Sequence, residues 1–170
     1  MAVFIIKQNP YNIPKSTEYL VNYILDPVKM PSKLFGGQGA SLISPINTIQ
    51  TIKKVFCHNT GKQMEHFILA FDKKELKNLS PYKIINLGYA ICEFFQGRQA
   101  LFACHEINDE IMDDEYDNSN IHIHFVLNTT NVISGYKDRL ELNNVFDLKR
   151  HIEALIWNMD IGNTLTMYFK

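Results

Sequence analysis

The stretch 120-NIHIHFVLN-128 is an apolar run that carries two histidines, His122 and His124. Successive side chains of a β-strand point to opposite faces of the sheet, so residues two apart share a face. The run is therefore predicted to be a core strand that presents two imidazoles side by side. Such a pair is either structural, with its ring nitrogens bonded to backbone or carboxylate groups, or part of a functional site.

A third histidine lies at the end of the preceding apolar run. His105 belongs to 99-QALFACHE-106, and the chain returns through a polar segment into the run at 121–131. If these two runs pair as an antiparallel hairpin, His105 lies beside His122. Three converging imidazoles form a site for a divalent metal, and three protein ligands leave positions open for water or substrate, as in catalytic metal sites.

The rest of the chain mixes strand and helix patterns, with no repeat and no internal linker. Further strands are predicted at residues 2–6, 66–71, 139–142 and 164–169. Helices are predicted at residues 16–25 (with Ser16 or Thr17 as N-cap), 45–57, 81–96 and 144–157. Residues 26–45, rich in glycine, proline and serine, are predicted to form a long functional loop. We expect one α+β domain over residues 1–170, with a largely antiparallel central sheet of about five strands flanked by helices.

Composition is that of an ordinary globular protein, with 46% hydrophobic and 21% charged residues. No apolar run approaches the ~20 residues that cross a bilayer, so no membrane insertion is expected. The three cysteines show no CxxC spacing, which is typical of reduced thiols in an intracellular protein. We therefore expect a cytoplasmic location.

Negative charge is concentrated in one segment. Residues 106–117, EINDEIMDDEYD, hold seven of the 18 acidic residues, which leaves 17 basic residues against 11 acidic ones elsewhere and a net charge of +6 there. A basic body with one acidic loop can bind a phosphate backbone. The alternative is a neutral protein with a solvated acidic loop, and charge alone does not separate the two.

Several segments resemble the motifs of one nuclease family. The segment 121-IHIHF-125, followed by Asn128, resembles the HUH motif of relaxases, the mobilisation nucleases of plasmids and integrative conjugative elements within the HUH endonuclease superfamily. The segment 22-NYILDPVK-29 is similar to the family's Y-x-x-[ND]-P-x-K stretch, and 65-EHFILAF-71 is similar to its HF-x-x-SF strand. The order of the segments is also that of the family, and the resemblance covers about residues 1–157.

The resemblance implies roles for the histidines and for a tyrosine. His105, His122 and His124 are the implied metal ligands, and the implied cofactor is Mg²⁺ or Mn²⁺, with Zn²⁺ as the alternative. Tyr23 is the implied catalytic nucleophile, because it precedes the DPVK turn. Tyr19, one helical turn earlier, is the runner-up. The alternative for either tyrosine is an aromatic side chain that packs its helix on the sheet.

Four further residues are expected near this site. His66 is expected to orient the tyrosine or a phosphate, or else to end its strand in water. Lys29 is expected to contact a phosphate, or else to be solvated. Asn128 is expected either to bond to DNA or to stabilise the strand end. Glu106 is expected to orient a ligand imidazole from behind, or else to belong to the acidic loop.

The function implied is that of a DNA relaxase. Such an enzyme makes a metal-dependent, site- and strand-specific nick in single-stranded DNA at an origin of transfer, through a covalent 5′-phosphotyrosine, and later rejoins the strand in conjugative mobilisation. The implied partners are that DNA and the accessory proteins of a relaxosome, in the bacterial cytoplasm. Three alternatives remain: an HUH replication initiator or transposase with the same chemistry, a degenerate relaxase-like domain that binds DNA without cutting it, and a zinc hydrolase that needs no tyrosine.

Two features depart from the family pattern. Asn120 stands where an additional histidine is frequent, and 16 residues, most of them acidic or polar, separate His105 from His122. An acidic loop beside a phosphate site repels DNA unless it points away, recruits metal or is displaced. The chain is expected to be either an excised nuclease domain or a minimal stand-alone member of the family.

Overall fold

A computed structural model describes residues 1–8, 11–106, 121–138 and 140–170. The strands are β1 (Ala2–Lys7), β2 (Phe35–Gln38), β3 (Met64–Phe71), β4 (Arg98–His105), β5 (Ile121–Asn131) and β6 (Leu165–Phe169). The helices are α1 (Lys15–Ile24), α2 (Pro45–Val55), α3 (Lys73–Leu76), α4 (Pro81–Glu93) and α5 (Leu142–Asn158).

The strands of the described residues form one sheet in the order β2-β4-β5-β3-β1-β6. Neighbouring strands are antiparallel, except that β6 runs parallel to β1. The predicted α+β class with a largely antiparallel sheet is confirmed, with six strands in place of about five. The central strands β3, β4 and β5 are buried along most of their length, which explains why their sequences read as nearly continuous apolar runs.

Helices cover both faces of the sheet, and the two faces differ in composition. On one face Phe67, Phe102 and Phe125 pack with Leu87 of α4 and Ile152 of α5 in the larger core. On the other face α1 and α2 cover a smaller core. That smaller core contains Leu20, Ile49, Met64, Leu101 and Val126. His122 and His124 alternate with the larger-core residues of β5, so they lie on the face covered by α1 and α2.

The glycine-rich part of residues 26–45 is a strand and not the loop that was predicted. β2 pairs antiparallel with β4, with Gly36 opposite Phe102 and Gly37 opposite Leu101. A Cβ at Gly36 would lie 2.7 Å from the Phe102 ring, and one at Gly37 would lie 2.6 Å from the Ala100 carbonyl oxygen. The glycines are therefore needed for the close approach of this edge strand to β4.

Two smaller predictions also need correction, and one short helix was missed. The predicted strand at 139–142 is absent from its described residues, because Leu142 already begins α5; Arg139 lies outside the described residues. Ser16 and Thr17 do not cap α1, since both are buried inside the helix and Pro14 is at the N-cap. The short helix α3 was not predicted, although Asp72 and Glu75 form a capping box at its start.

A buried lysine joins α1 to α2. Lys53 is 4% exposed, and its Nζ donates a hydrogen bond to Thr17 Oγ1 at 2.6 Å. Met64 Sδ lies 3.4 Å from the same nitrogen. Burial, with a smaller effect from the charge of Lys137, lowers the pKa of Lys53 from 10.5 to about 7. The side of the sheet covered by α1 and α2 therefore contains an amine whose charged form is disfavoured by its surroundings.

This pKa predicts a rise of stability with pH. Between pH 7 and 10.5 the unfolded chain keeps the Lys53 proton that the folded protein has released. The free energy of unfolding therefore rises with pH over this range, by at most about 1.4 kcal/mol per pH unit from this one group. Lys53→Met removes that contribution, whereas Lys54→Met, a change at the exposed neighbour, retains it. Urea unfolding at several pH values measures the difference, and equal pH dependence in wild type and Lys53→Met would contradict the prediction.

A glycine inside α4 gives a second prediction. Glycine to alanine inside a helix normally stabilises by roughly 0.5–1 kcal/mol. At Gly88, however, a Cβ would meet the Phe102 ring at 2.3 Å, and Phe102 is fully buried. Gly88→Ala is therefore expected to lower the free energy of unfolding by roughly 1–3 kcal/mol, measured by chemical denaturation. Asn86→Ala on the same helix is the control, and a Gly88→Ala variant as stable as this control would refute the packing argument.

Candidate active site

The pairing of β4 with β5 brings the three predicted ligand histidines together. His105 is the Cα partner of His122, and Ala103 is the partner of His124. This register confirms the predicted hairpin and leaves all three imidazoles on one face. The three residues are buried, and one nitrogen from each lies within 4.8 Å of the others. The arrangement supplies three nitrogen ligands at a single point of the sheet.

Hydrogen bonds define which nitrogens point into this cluster. His105 Nε2–H donates to the Ile24 carbonyl oxygen at 3.0 Å, which directs the other ring nitrogen of neutral His105 to act as an acceptor. His124 Nε2 is fully buried and has no hydrogen-bond partner among the described residues. A buried nitrogen of this kind is costly unless something binds it. A divalent metal ion fits that position and this donor set.

Burial keeps two of the neighbouring imidazoles neutral. Desolvation, helped by the charge of Lys7 and by His105, lowers the pKa of His66 to about 3. Desolvation is the main cause that holds the pKa of His124 well below its usual value, and electrostatic effects of the nearby His122, His66 and His105 lower it further. Neutral imidazole is the form that binds metal ions. These rings are therefore in the correct protonation state near pH 7.

Tyr23, the predicted nucleophile, lies directly over the histidines. It is in the last turn of α1, and its ring centroid is 5.4 Å from that of His124 and 5.7 Å from that of His105. The side chain is half-buried. Lys29 Nζ lies 4.1 Å from the centre of the Tyr23 ring, which is a cation–π contact. Helix α1 and the loop after it thus bring a phenol and an ammonium group to the cluster.

Tyr19, the runner-up, has a different position on the same helix. Its side chain is 70% exposed. Among the described residues, the Tyr23 ring contacts the rings of His66, His105 and His124, whereas the Tyr19 ring contacts none of these histidines. This placement favours Tyr23 as the nucleophile.

His66 is buried behind the cluster and not at a solvated strand end. Its Nε2 lies 3.0 Å from His124 Nδ1, and the two rings stack with centroids 5.3 Å apart. Its ring is 6.4 Å from that of Tyr23. His66 therefore contacts both a candidate ligand and the candidate nucleophile.

The carboxylate of Glu106 contacts the loop after α1, so the structure does not favour the expected contact with a ligand imidazole over the alternative that Glu106 belongs to the acidic segment. Its carboxylate accepts hydrogen bonds from the Ser32 backbone N–H at 3.1 Å and from Ser32 Oγ at 2.8 Å, in place of an imidazole. Its own backbone N–H donates to the Lys29 carbonyl oxygen at 3.0 Å. Glu106 therefore fastens the loop after α1 to the end of β4. Residues 107–117 of the predicted acidic loop lie outside the described residues.

Asn128 is buried and fully engaged within the protein. Its Nδ2 donates to Gln99 Oε1 at 2.8 Å, and its Oδ1 accepts from the Thr130 backbone N–H at 3.1 Å. The side chain is 0% exposed. This placement favours the structural alternative over a contact with DNA.

Tyr11 is a residue that the motifs did not identify. Its hydroxyl lies 3.0 Å from His66 Nδ1, on the side away from His124. β1 pairs with β3, with Lys7 opposite His66, so the end of β1 lies beside His66. That proximity follows only once the strand order is known, because no local pattern marks Tyr11.

Comparison with known families agrees with this geometry. The relaxase family described as MobA/VirD2-like, nuclease domain, matches residues 23–155, most of the chain. The chain belongs to this relaxase family. Its match begins at Tyr23 and includes the three clustered histidines. Comparisons with curated proteins and with solved structures found no match.

Membership of the family implies general properties for this chain. The matching family model is that of a relaxase nuclease domain, so membership supports a relaxase-like function in the nicking of nucleic acid. Relaxases generally use a divalent metal ion, and the histidine cluster fits one. Among the described residues, no helix has the length and hydrophobicity needed to cross a membrane.

The cluster predicts the metal dependence of the relaxase. His122→Ala combined with His124→Ala leaves one of three ligands, so the affinity for Mn²⁺ or Zn²⁺ is expected to fall by at least a hundredfold. Isothermal titration calorimetry on the purified protein measures it. His58→Ala, a change outside the cluster, is the control, and full affinity in the double variant would show that the metal binds elsewhere.

Proposed function

We propose that this relaxase makes a site- and strand-specific nick in single-stranded DNA at an origin of transfer, with Tyr23 as nucleophile, and rejoins the strand in conjugative mobilisation. The observation that carries the proposal is the position of the Tyr23 ring over His105 and His124, at centroid distances of 5.7 and 5.4 Å. A hydrolase that used the metal site alone would need no tyrosine there.

The proposed reaction is an exchange of phosphoester bonds. Tyr23 Oη loses its proton and attacks the scissile phosphorus, the bond from phosphorus to the 3′ oxygen breaks, and that oxygen leaves and takes up a proton, so that one proton is lost and one is gained. The products are a 5′-phosphotyrosine and a free 3′-OH. Because the covalent bond conserves the phosphodiester, a 3′-OH can attack it and restore the DNA strand with Tyr23 free again.

Each neighbouring residue has a proposed part in this exchange. His105, His122 and His124 would hold a divalent metal ion, which would supply polarisation of the phosphate and stabilisation of the charge that develops on its oxygens. Lys29 adds a positive charge beside the Tyr23 ring, where it attracts the anionic phosphate. His66 packs against the same ring and orients it. When reacting groups are held in the correct geometry, much of the acceleration of the reaction comes from that positioning.

The donor set bears on the choice of metal. Imidazole nitrogens bind first-row transition metals better than they bind Mg²⁺, which prefers oxygen ligands. Of the ions proposed, Mn²⁺ therefore suits these three histidines better than Mg²⁺ does, and Zn²⁺ is expected to bind most tightly. The proposal further implies accessory relaxosome proteins as partners and the bacterial cytoplasm as the location, with residues 1–170 as one nuclease domain.

A covalent adduct tests the proposal. Wild-type protein with Mn²⁺ is incubated with a pool of single-stranded oligonucleotides that covers the candidate origin region, labelled at either the 3′ or the 5′ end. The 3′ label is expected to migrate with the protein in a denaturing gel, because the 3′ fragment is the one attached through its 5′ phosphate. The 5′ label is expected on a shorter free oligonucleotide.

Two matched variants decide the nucleophile. Tyr23→Phe removes the attacking oxygen and is expected to abolish the adduct, whereas Tyr19→Phe, on the same helix, is expected to retain it. Adduct formation by Tyr23→Phe would assign the chemistry to another residue. A protein that binds Mn²⁺ but gives no adduct with any oligonucleotide of the pool would favour a relaxase-like domain that binds DNA without cutting it.

A further inference from the structure

A chain of hydrogen bonds runs from the candidate metal ligands to Tyr11. His124 Nδ1 lies 3.0 Å from His66 Nε2, and His66 Nδ1 lies 3.0 Å from Tyr11 Oη. His66 is 4% exposed and His124 is 0% exposed, so water does not compete for the bond between the two imidazoles. These three side chains, called the Tyr11 relay below, connect the cluster to the segment between β1 and α1.

The protons of the relay can be arranged in two directions. A neutral imidazole carries one N–H, and its other nitrogen accepts. In the outward arrangement His124 Nδ1–H donates to His66 Nε2, and His66 Nδ1–H donates to Tyr11 Oη. In the inward arrangement Tyr11 donates to His66, which donates to His124, and the His124 proton is then on Nε2.

Only the outward arrangement leaves His124 able to bind a metal ion. Nε2 is the nitrogen of His124 that has no hydrogen-bond partner among the described residues. A metal ion needs its lone pair, which the inward arrangement covers with a proton. The outward arrangement in turn needs an acceptor for the buried Nδ1–H of His66, since a buried N–H without an acceptor is costly.

We propose that Tyr11 is a positioning residue that supplies this terminal acceptor, and that the Tyr11 relay thereby holds His124 in the tautomer that binds the catalytic metal ion. The inference rests on the metal site of the proposed function and extends it to a residue outside the family match, which begins at residue 23. His66 is the middle member of the relay, in addition to its contact with Tyr23.

The backbone of Tyr11 supports a defined position for its hydroxyl. Tyr11 has φ 38°, in the left-handed region that residues other than glycine rarely adopt. The Gln63 backbone N–H donates to the Tyr11 carbonyl oxygen at 2.8 Å, which ties this residue to the start of β3. Such strain is maintained only where surrounding contacts determine the conformation, and it is concentrated at functional sites.

The first arm of the test measures metal affinity. Tyr11→Phe keeps the ring but removes the acceptor, so the affinities for Mn²⁺ and Zn²⁺ are expected to fall by roughly ten- to a hundredfold, as for other partners of metal-bound histidines. Tyr82→Phe on α4, where the side chain is 76% exposed, is the matched control and is expected to bind like wild type. Titration calorimetry with each metal ion alone gives the affinities.

The second arm separates the relay from a general loss of packing. A glutamine at position 66 can accept from His124 Nδ1–H through its amide oxygen, and it needs no tyrosine to fix a tautomer. His66→Gln is therefore expected to retain metal affinity, and adding Tyr11→Phe to it is expected to have little further effect. His66→Leu provides no acceptor and is expected to lose affinity. Such non-additivity is the sign of residues that act through one another.

The third arm observes the tautomer directly. Imidazole ¹⁵N spectra of the Zn²⁺-loaded wild type are expected to show His66 protonated on Nδ1 and His124 bound to the metal through Nε2. His66 protonated on Nε2 would overturn the relay, as would wild-type affinity in Tyr11→Phe or an undiminished Tyr11→Phe effect in the His66→Gln background. If the wild type binds neither ion, the proposed metal site itself fails and the relay fails with it. If it binds and forms the adduct while Tyr11→Phe binds equally well, only the relay fails.

Discussion

The register between β4 and β5 is the constraint on which the site depends. With His105 opposite His122, alternation along β5 places His124 on the same face, two residue pairs further along the ladder. A shift of one residue in either strand would turn its histidines toward the phenylalanine core and away from Tyr23. The register is secured by that core, because Phe102 and Phe125 are buried partners across the same two strands.

The two faces of the sheet therefore have different roles, one in stabilising the fold and the other in forming the candidate site. The face under α4 and α5 is filled with aromatic and aliphatic side chains, which stabilise the fold. The face under α1 and α2 contains a smaller core, and this relaxase places its polar groups there: four imidazoles, the Lys53 amine and the Tyr23 phenol. The Tyr23 ring at the end of α1 contacts the histidines on this face, and burial keeps the pKa of His66 and of His124 low enough for both rings to stay neutral.

The parts of this architecture that could be predicted from sequence are those with a local signal. The histidine pair, the strand ends at His105 and Ile121 and the amphipathic α5 all have such a signal, so the hairpin and the cluster were predicted correctly. The strand β2 could not be predicted, because its glycines resemble a loop as long as their pairing with β4 and their contact with Phe102 are unknown. Tyr11 and the contact of Glu106 with Ser32 depend on strand order and loop docking, which no spacing along the chain encodes.

The loop after α1 has a consequence for the energetics of the proposed reaction. His105 binds the Ile24 carbonyl, and Glu106 binds Lys29 and Ser32. These two adjacent residues therefore join the end of β4 to the end of α1, which carries the proposed nucleophile, and to the loop that follows it. In the proposed reaction, a tyrosine held in this way would attack with a high effective molarity, because little of its freedom of movement remains to be lost when the covalent bond forms. In the proposed cycle, the step that rejoins the DNA strand would then use the same position of Tyr23 as the step that nicks it. Cleavage in that cycle would become permanent only when the free 3′-OH leaves before it can attack the phosphotyrosine.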